Sequence, residues 1–222
     1  MSMRRIHLRK LLKITFLAEG PRRSALRADI REDRARAADV GGKGGGDFYW
    51  PFWSDAKRHV FGVHDLHAAT DGRIAGNGRR QNLYPQLRDG FLLWWDERRR
   101  WTNAPFAPGR QLGTQFPLPG LNAVVKLDNI LSARDGRGDE HYVYPYFSET
   151  PVLDEQGARL GLWLLGQALL TVPHEEIRIL DVIRGEPFSI DRYPLEGNEG
   201  DDFRDRYATL LEEWEVLRAE YD

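Results

Sequence analysis

Near the middle of the chain one aspartate stands in an otherwise apolar run, Val124-Val125-Lys126-Leu127-Asp128-Asn129-Ile130. An isolated carboxylate among apolar neighbours must be paired, hydrated or metal-bound, so Asp128 is the first residue whose position could do chemistry. His59, His64 and His67 are three of only six histidines, with Asp65 between the last two. His64 and His67 would share a helical face, and Asp65 could act as an outer acceptor. A zinc centre needs a fourth ligand and finds no cysteine in this chain; surface or capping histidines account for the spacing equally well. Arg98, Arg99 and Arg100 beside Trp101 close a helical stripe of Leu87, Phe91 and Trp94. This basic and aromatic tip suits contact with phosphates, while the helix dipole alone also favours cations there.

Two further stretches invite a phosphate reading. GGKGGG at 41–46 would let backbone amides approach an anion, with Lys43 adding charge. It does not fit GxxxxGK[ST] and no strand precedes it, so a hinge is the better expectation. The Arg- and Ala-rich run 21–38 could lay Arg22, Arg23, Arg27, Arg31, Arg34 and Arg36 along a phosphate backbone, or pair them with Asp29, Glu32 and Asp33 on a solvated helix.

Composition bounds the classes. The 222 residues are 41% hydrophobic and 11% aromatic, enough for a sizeable core. The absence of cysteine excludes disulfides and thiolate metal sites and fits a reducing compartment. No run approaches the roughly 20 apolar residues of a membrane span, and charges interrupt the first 20 residues where a signal peptide would be apolar. A cytoplasmic protein with no membrane partner is expected. The net charge of −2 argues against a nonspecific polyanion binder. The charge is uneven, however. Residues 1–40 hold eleven Lys and Arg against five Asp and Glu, and residues 195–222 hold three against ten. That asymmetry permits nucleic-acid contact at the basic end, or docking of the two ends on each other.

The elements that must position these residues follow from periodicity. Two β-hairpins are expected, 121–147 turning at Asp135-Gly136-Arg137-Gly138 and 176–193 turning at Arg184-Gly185-Glu186-Pro187. Between them 154–170 reads as a helix apolar on nearly every side. Tyr142, Tyr144 and Tyr146 share one strand face; Pro145 predicts an edge strand or a bulge. The strand from Ile177 is apolar on both faces and predicts a central position. The aromatic stretch 47–53 should seal the core, with Ser54 capping a helix from Asp55 to about His67. Residues 86–101 form a helix, and 201–221 an amphipathic one that packs on the sheet or on a partner helix. The fold class is therefore α+β: a mixed sheet of about four strands from two hairpins, covered by helices. One domain would span 47–222, preceded by a basic N-terminal helical arm and hinge at 1–46.

The order helix 86–101, hairpin, helix 154–170, strand, strand resembles the core of the PD-(D/E)XK nuclease superfamily, particularly its RecB-like branch. The resemblance implies a metal-binding Asp on the first hairpin strand, matched by Asp128 in VVKLDNI, and an upstream acid, matched by Glu97. It also implies a helical Gln, matched by Gln167. It departs at the second strand, where Tyr144-Pro145-Tyr146 stands in place of D/E-x-K. Lys126 would then serve as a displaced lysine and Glu140 or Glu149 as a displaced acid. In such a site carboxylates hold Mg2+ or Mn2+, which polarises a phosphate while a lysine orients water. Asp128 and Glu97 would be the metal ligands, with Arg98–Arg100 on the phosphates. The implied function is handling of DNA or RNA, by an active or a degenerate nuclease-like site. The alternative is a non-catalytic interaction or scaffold protein that holds a protein partner or a second copy through its aromatic clusters and C-terminal helix. A zinc hydrolase built on His59, His64 and His67 is a third expectation.

Overall fold

The computed structural model describes residues 2–38 and 47–221; the stretch 41–46 lies outside the described residues. The chain opens with β1 (Arg5–His7), α1 (Leu8–Phe16) and α2 (Glu19–Ala37). Next come α3 (Trp50–Val60), α4 (Leu66–Gly76) and α5 (Leu83–Leu92), the last running into a π turn over Leu93–Arg98. The strands β2 (Ala107–Pro108), β3 (Thr114–Leu118), β4 (Ala123–Leu127), β5 (Leu131–Arg134) and β6 (Glu140–Tyr146) follow. Then α6 (Glu155–Ala168), β7 (Ile177–Asp181), β8 (Glu186–Phe188) and α7 (Glu199–Ala219) complete the fold.

The class is α+β with mixed sheets, but there are two of them: β1-β4-β3 and β2-β5-β6-β7-β8. The expected single sheet divides between β4 and β5, where Asn129 takes a left-handed φ of 62°. Asparagine is one of the few residues that tolerates that region. The turn at 135–138 closes the β5–β6 hairpin as expected, with Gly138 N donating to Asp135 O at 2.9 Å. β6 and β7 pair in parallel on either side of α6, while β8 returns antiparallel.

Strand alternation sends side chains to two cores. Tyr142, Tyr144, Tyr146, Ile177 and Ile179 pack with α1, α6 and α7 on one side. Val143, Phe147, Leu180 and Val182 pack with α3 and α5 on the other. β7 is central, as its two apolar faces require. β6 is also internal, which corrects the edge position expected from Pro145. The reason is local: β5 pairs only as far as Leu131 with Val143, so the missing N–H of Pro145 falls beyond the end of that ladder.

The N-terminal segment is not a separate arm. Ile6 on β1 is fully buried, β1 pairs in parallel with β4, and Leu8, Leu11 and Leu12 of α1 lie in the first core. α2 and α7 realise the docking of oppositely charged ends: Arg22 bonds Glu213 at 2.8 Å, Arg27 bonds Glu220 at 3.0 Å, and Arg4 bonds Glu215 at 2.7 Å. α7 buries Phe203, Tyr207, Leu210, Trp214 and Leu217 against the protein's own core, so its apolar stripe is already covered within the chain. α3 starts earlier than expected, at Trp50, because Pro51 favours the first helical turn. It ends at Val60, and Asp65 caps α4 by accepting from Ala68 N at 2.9 Å. No helix among the described residues is long and apolar enough to cross a membrane.

Candidate nucleic-acid interface

Asp128 sits just past the end of β4, at the bend between the two sheets, rather than in mid-strand. Its carboxylate is 40% exposed. The register that pairs His7 with Lys126 brings it against the start of α1. His7 Nδ1 lies 3.0 Å and Arg9 Nη1 3.3 Å from Oδ1, with Asn129 Nδ2 at 3.4 Å. Partial burial works to raise its pKa, but the His7 contact and the charges of His7 and Arg9 prevail and hold it below the usual range. Beside it Tyr144 is buried, its hydroxyl accepting from Arg9 N at 3.0 Å, and burial pushes that phenol up to about 12. Burial also lowers the pKa of the nearby Lys57 ammonium, opposed by Asp128.

The expected carboxylate partners lie elsewhere. Glu97 is exposed on the π turn. Glu140 is at the far end of the β5–β6 ladder, bonded to the Tyr142 hydroxyl and paired with Arg110 at 3.4 Å. Glu149 is exposed, its carbonyl accepting from Arg184. Lys126 projects on a partly exposed face of β4 near Gln115. Among the described residues no three His, Asp or Glu side chains assemble into a group that could hold a metal ion. A divalent cation therefore does not fit this centre: Asp128 already faces His7 and Arg9, and the neighbouring carboxylate of Asp47 is itself bonded to Arg9. The histidine centre does not assemble either. His59 Nδ1 meets the His64 carbonyl, His64 Nε2 meets the Asp55 carbonyl, and His67 is exposed.

Asp128 is instead a link between α1 and the sheet bend, and it should titrate as one. A carboxylate with a lowered folded pKa adds stability above its unfolded value near 3.9, and that increment is lost as pH falls through the folded value. Asp128→Asn should therefore unfold more easily at pH 6, by less than about 1 kcal/mol for a pair this exposed. The gap from wild type should close as the pH falls from the unfolded value through the lowered folded one. Urea titrations across that range measure it; a gap that persists at low pH would contradict the pairing.

The three arginines of the helix tip do come together, with two that the sequence did not single out. The π turn, in which Arg99 N donates to Trp94 O at 2.8 Å, fans Arg98, Arg99 and Arg100 away from the helix end. Arg178 from β7 and Arg192 from the segment after β8 complete a crevice floored by Trp94, Trp101 and Pro187, with Asp191 as its one lining acid. Each cation is anchored. Arg98 reaches the carbonyls of 184 and 185 at 3.0 and 3.1 Å and Glu186 at 3.1 Å. Arg100 meets Asp191 at 2.6 Å, Arg178 meets Glu176 at 3.4 Å, and Arg192 lies 3.7 Å from Glu186. Arg99 has no carboxylate contact among the described residues. Its guanidinium lies 3.7 Å from the Trp95 ring centre and 4.6 Å from that of Phe106, and one terminal nitrogen is buried without an acceptor. Burial lowers the Arg178 pKa against the pull of Glu176, and the Ser189 hydroxyl with Arg100 lowers that of Asp191. The signal for Arg178 was present: a single cation between Ile177 and Ile179 in an apolar strand.

A larger cleft of about 530 Å³ lies by His7, Arg9, Tyr49 and Phe147. Arg9, Lys10 and Lys13 are balanced there by Asp29, Glu32 and Asp47, so it offers a polyanion no net charge. No protein-family model, no curated protein and no solved structure matches the chain.

Proposed function

We propose that the protein binds nucleic acid through the crevice of Arg98, Arg99, Arg100, Arg178 and Arg192, and that its nuclease-like centre at Asp128 is degenerate. The observation that carries this reading is the meeting of five guanidinium groups around one crevice, an excess of two over the three carboxylates, Glu176, Glu186 and Asp191, that face four of them. Guanidinium is the side chain best matched to phosphate, offering a planar fork of donors at permanent charge. The order of α5, the β5–β6 hairpin, α6 and β7 supports the likeness to the PD-(D/E)XK core, as does the nearness of Asp128 to Tyr144, where that core would hold its second acid. The tyrosine in that position and the His7 and Arg9 contacts of Asp128 support the loss of metal chemistry.

Fluorescence anisotropy with short labelled DNA and RNA strands at low salt tests the reading. Binding should occur equally in EDTA and in Mg2+ or Mn2+, and gels should show intact strands. Absence of binding would overturn the interface. Metal-dependent cleavage that vanishes in Asp128→Ala would overturn the degenerate centre.

A further inference from the structure

The cleft beside α1 is built differently from the arginine crevice. Its volume of about 530 Å³ falls in the range of small-molecule sites, which are mostly apolar with a few placed polar groups. One face of α1 lines it with Lys13 and Ile14, and one face of α2 with Ala25, Ala28 and Glu32. The two alanines reach little beyond the backbone, so α2 leaves this space unfilled. Tyr49 and Phe147, with rings stacked at 4.8 Å and 5°, complete the apolar lining.

Most of the charge around this cleft is already committed. Asp29 is buried and holds Lys10 at 2.6 Å, and Arg9 is shared by Asp47 and Asp128. Two groups are left over, one of each sign. Lys13 makes no side-chain hydrogen bond or ion pair among the described residues. Glu32 meets a cation only at 4.0 Å, from the Lys10 ammonium that Asp29 already holds. Lys10 and Lys13 are neighbours on one helix face, about 5–6 Å apart at Cβ, so both uncommitted groups border Lys10. We infer that the cleft binds a zwitterionic α-amino acid with an apolar side chain. Lys13 receives its carboxylate, Glu32 its ammonium, and Ile14, Ala25, Ala28, Tyr49 and Phe147 its side chain. A zwitterion matches both uncommitted groups and leaves the balanced charge of the lining unchanged. A carboxylate alone would add a negative charge beside Asp29, Glu32 and Asp47, and an amine alone would leave Lys13 unmatched.

Calorimetric titration with phenylalanine, phenylpropionate and phenethylamine tests the site, since the three share one ring and differ in charge. Phenylalanine should bind about 10-fold more tightly than either analogue, the worth of one charged contact. Lys13→Met should bring phenylalanine down to the affinity of phenethylamine, and Glu32→Gln should bring it down to that of phenylpropionate. Neither side chain belongs to a close ion pair, so both variants should keep the wild-type urea midpoint. Ala28→Leu adds bulk to the cleft wall and should abolish binding of all three compounds. An analogue that binds as tightly as phenylalanine would overturn the zwitterion. Phenylalanine binding that survives Ala28→Leu and both charge variants would overturn the cleft as the site. Binding of none of the three would overturn the inference and leave the nucleic-acid reading untouched.

Discussion

Gly90→Ala should destabilise the protein by about 3 kcal/mol and weaken its grip on nucleic acid as well. A Cβ at Gly90 would stand 2.2 Å from the Ile183 carbonyl oxygen and 2.3 Å from that of Val182. Both obstacles are backbone, so no side chain can swing aside. On the opposite side of the contact Gly185 has φ +59°, and a Cβ there would lie 2.4 Å from the Gly90 oxygen. α5 and the β7–β8 turn therefore touch main chain to main chain, at a separation that only paired glycines allow. This contact sets where the helix tip stands. Arg98 bonds the carbonyls of 184 and 185 at 3.0 and 3.1 Å across the same junction, so pushing the helix outward would separate Arg98–Arg100 from Arg192. Gly72→Ala is the control: it lies in α4, has nothing within 4 Å, and should be neutral or stabilising by up to about 1 kcal/mol. Urea unfolding of the two variants measures the difference. A wild-type midpoint for Gly90→Ala would show that the junction is looser than described.

What could be read from the sequence was what is encoded locally. α6 and α7 were legible from apolar periodicity, and the β5–β6 turn from Asp135-Gly136. Asp154, accepting from Gly157 N at 2.8 Å, caps α6 within a turn of its own chain position. The place of β1 and α1 was not legible. Arg9, Lys10 and Lys13 interrupt the apolar spacing of Leu8, Leu11 and Leu12, and the burial of these leucines depends on β1 meeting β4 more than a hundred residues later. Local pattern carries no information on such a pairing. The same distinction divides the candidate site. Arg98–Arg100 stood out because they are contiguous on one helix end. Arg178 and Arg192 reach them only through the order of strands in the larger sheet. Asp128 was conspicuous as a charge in an apolar run, but the run is the end of β4 and the bend that leads to β5 of the other sheet, and the left-handed turn at Asn129 places the carboxylate at their boundary. Its partners His7 and Arg9 come from the distant N-terminus for the same reason.

Removing two of the crevice cations should cost more affinity than any other surface change. Among the described residues the carboxylate partners of Arg100 and Arg192 are Asp191 and Glu186, at partly exposed positions, so Arg100→Ala with Arg192→Ala should leave stability within about 1 kcal/mol of wild type. Each charge-assisted contact to a phosphate is worth about 1.5 kcal/mol, so the double variant should bind about 100-fold more weakly. The dependence on salt separates lost phosphate contacts from a general disturbance, because every neutralised phosphate contributes about 0.7 to the slope for a single strand. Anisotropy titrations of a labelled single strand between about 50 and 200 mM salt, wild type beside the double variant, put this most directly. The slope of log affinity against log salt should fall by about 1.4 in the double variant, together with the loss of affinity. Unchanged affinity and slope would contradict the assignment of the arginine crevice as the nucleic-acid interface.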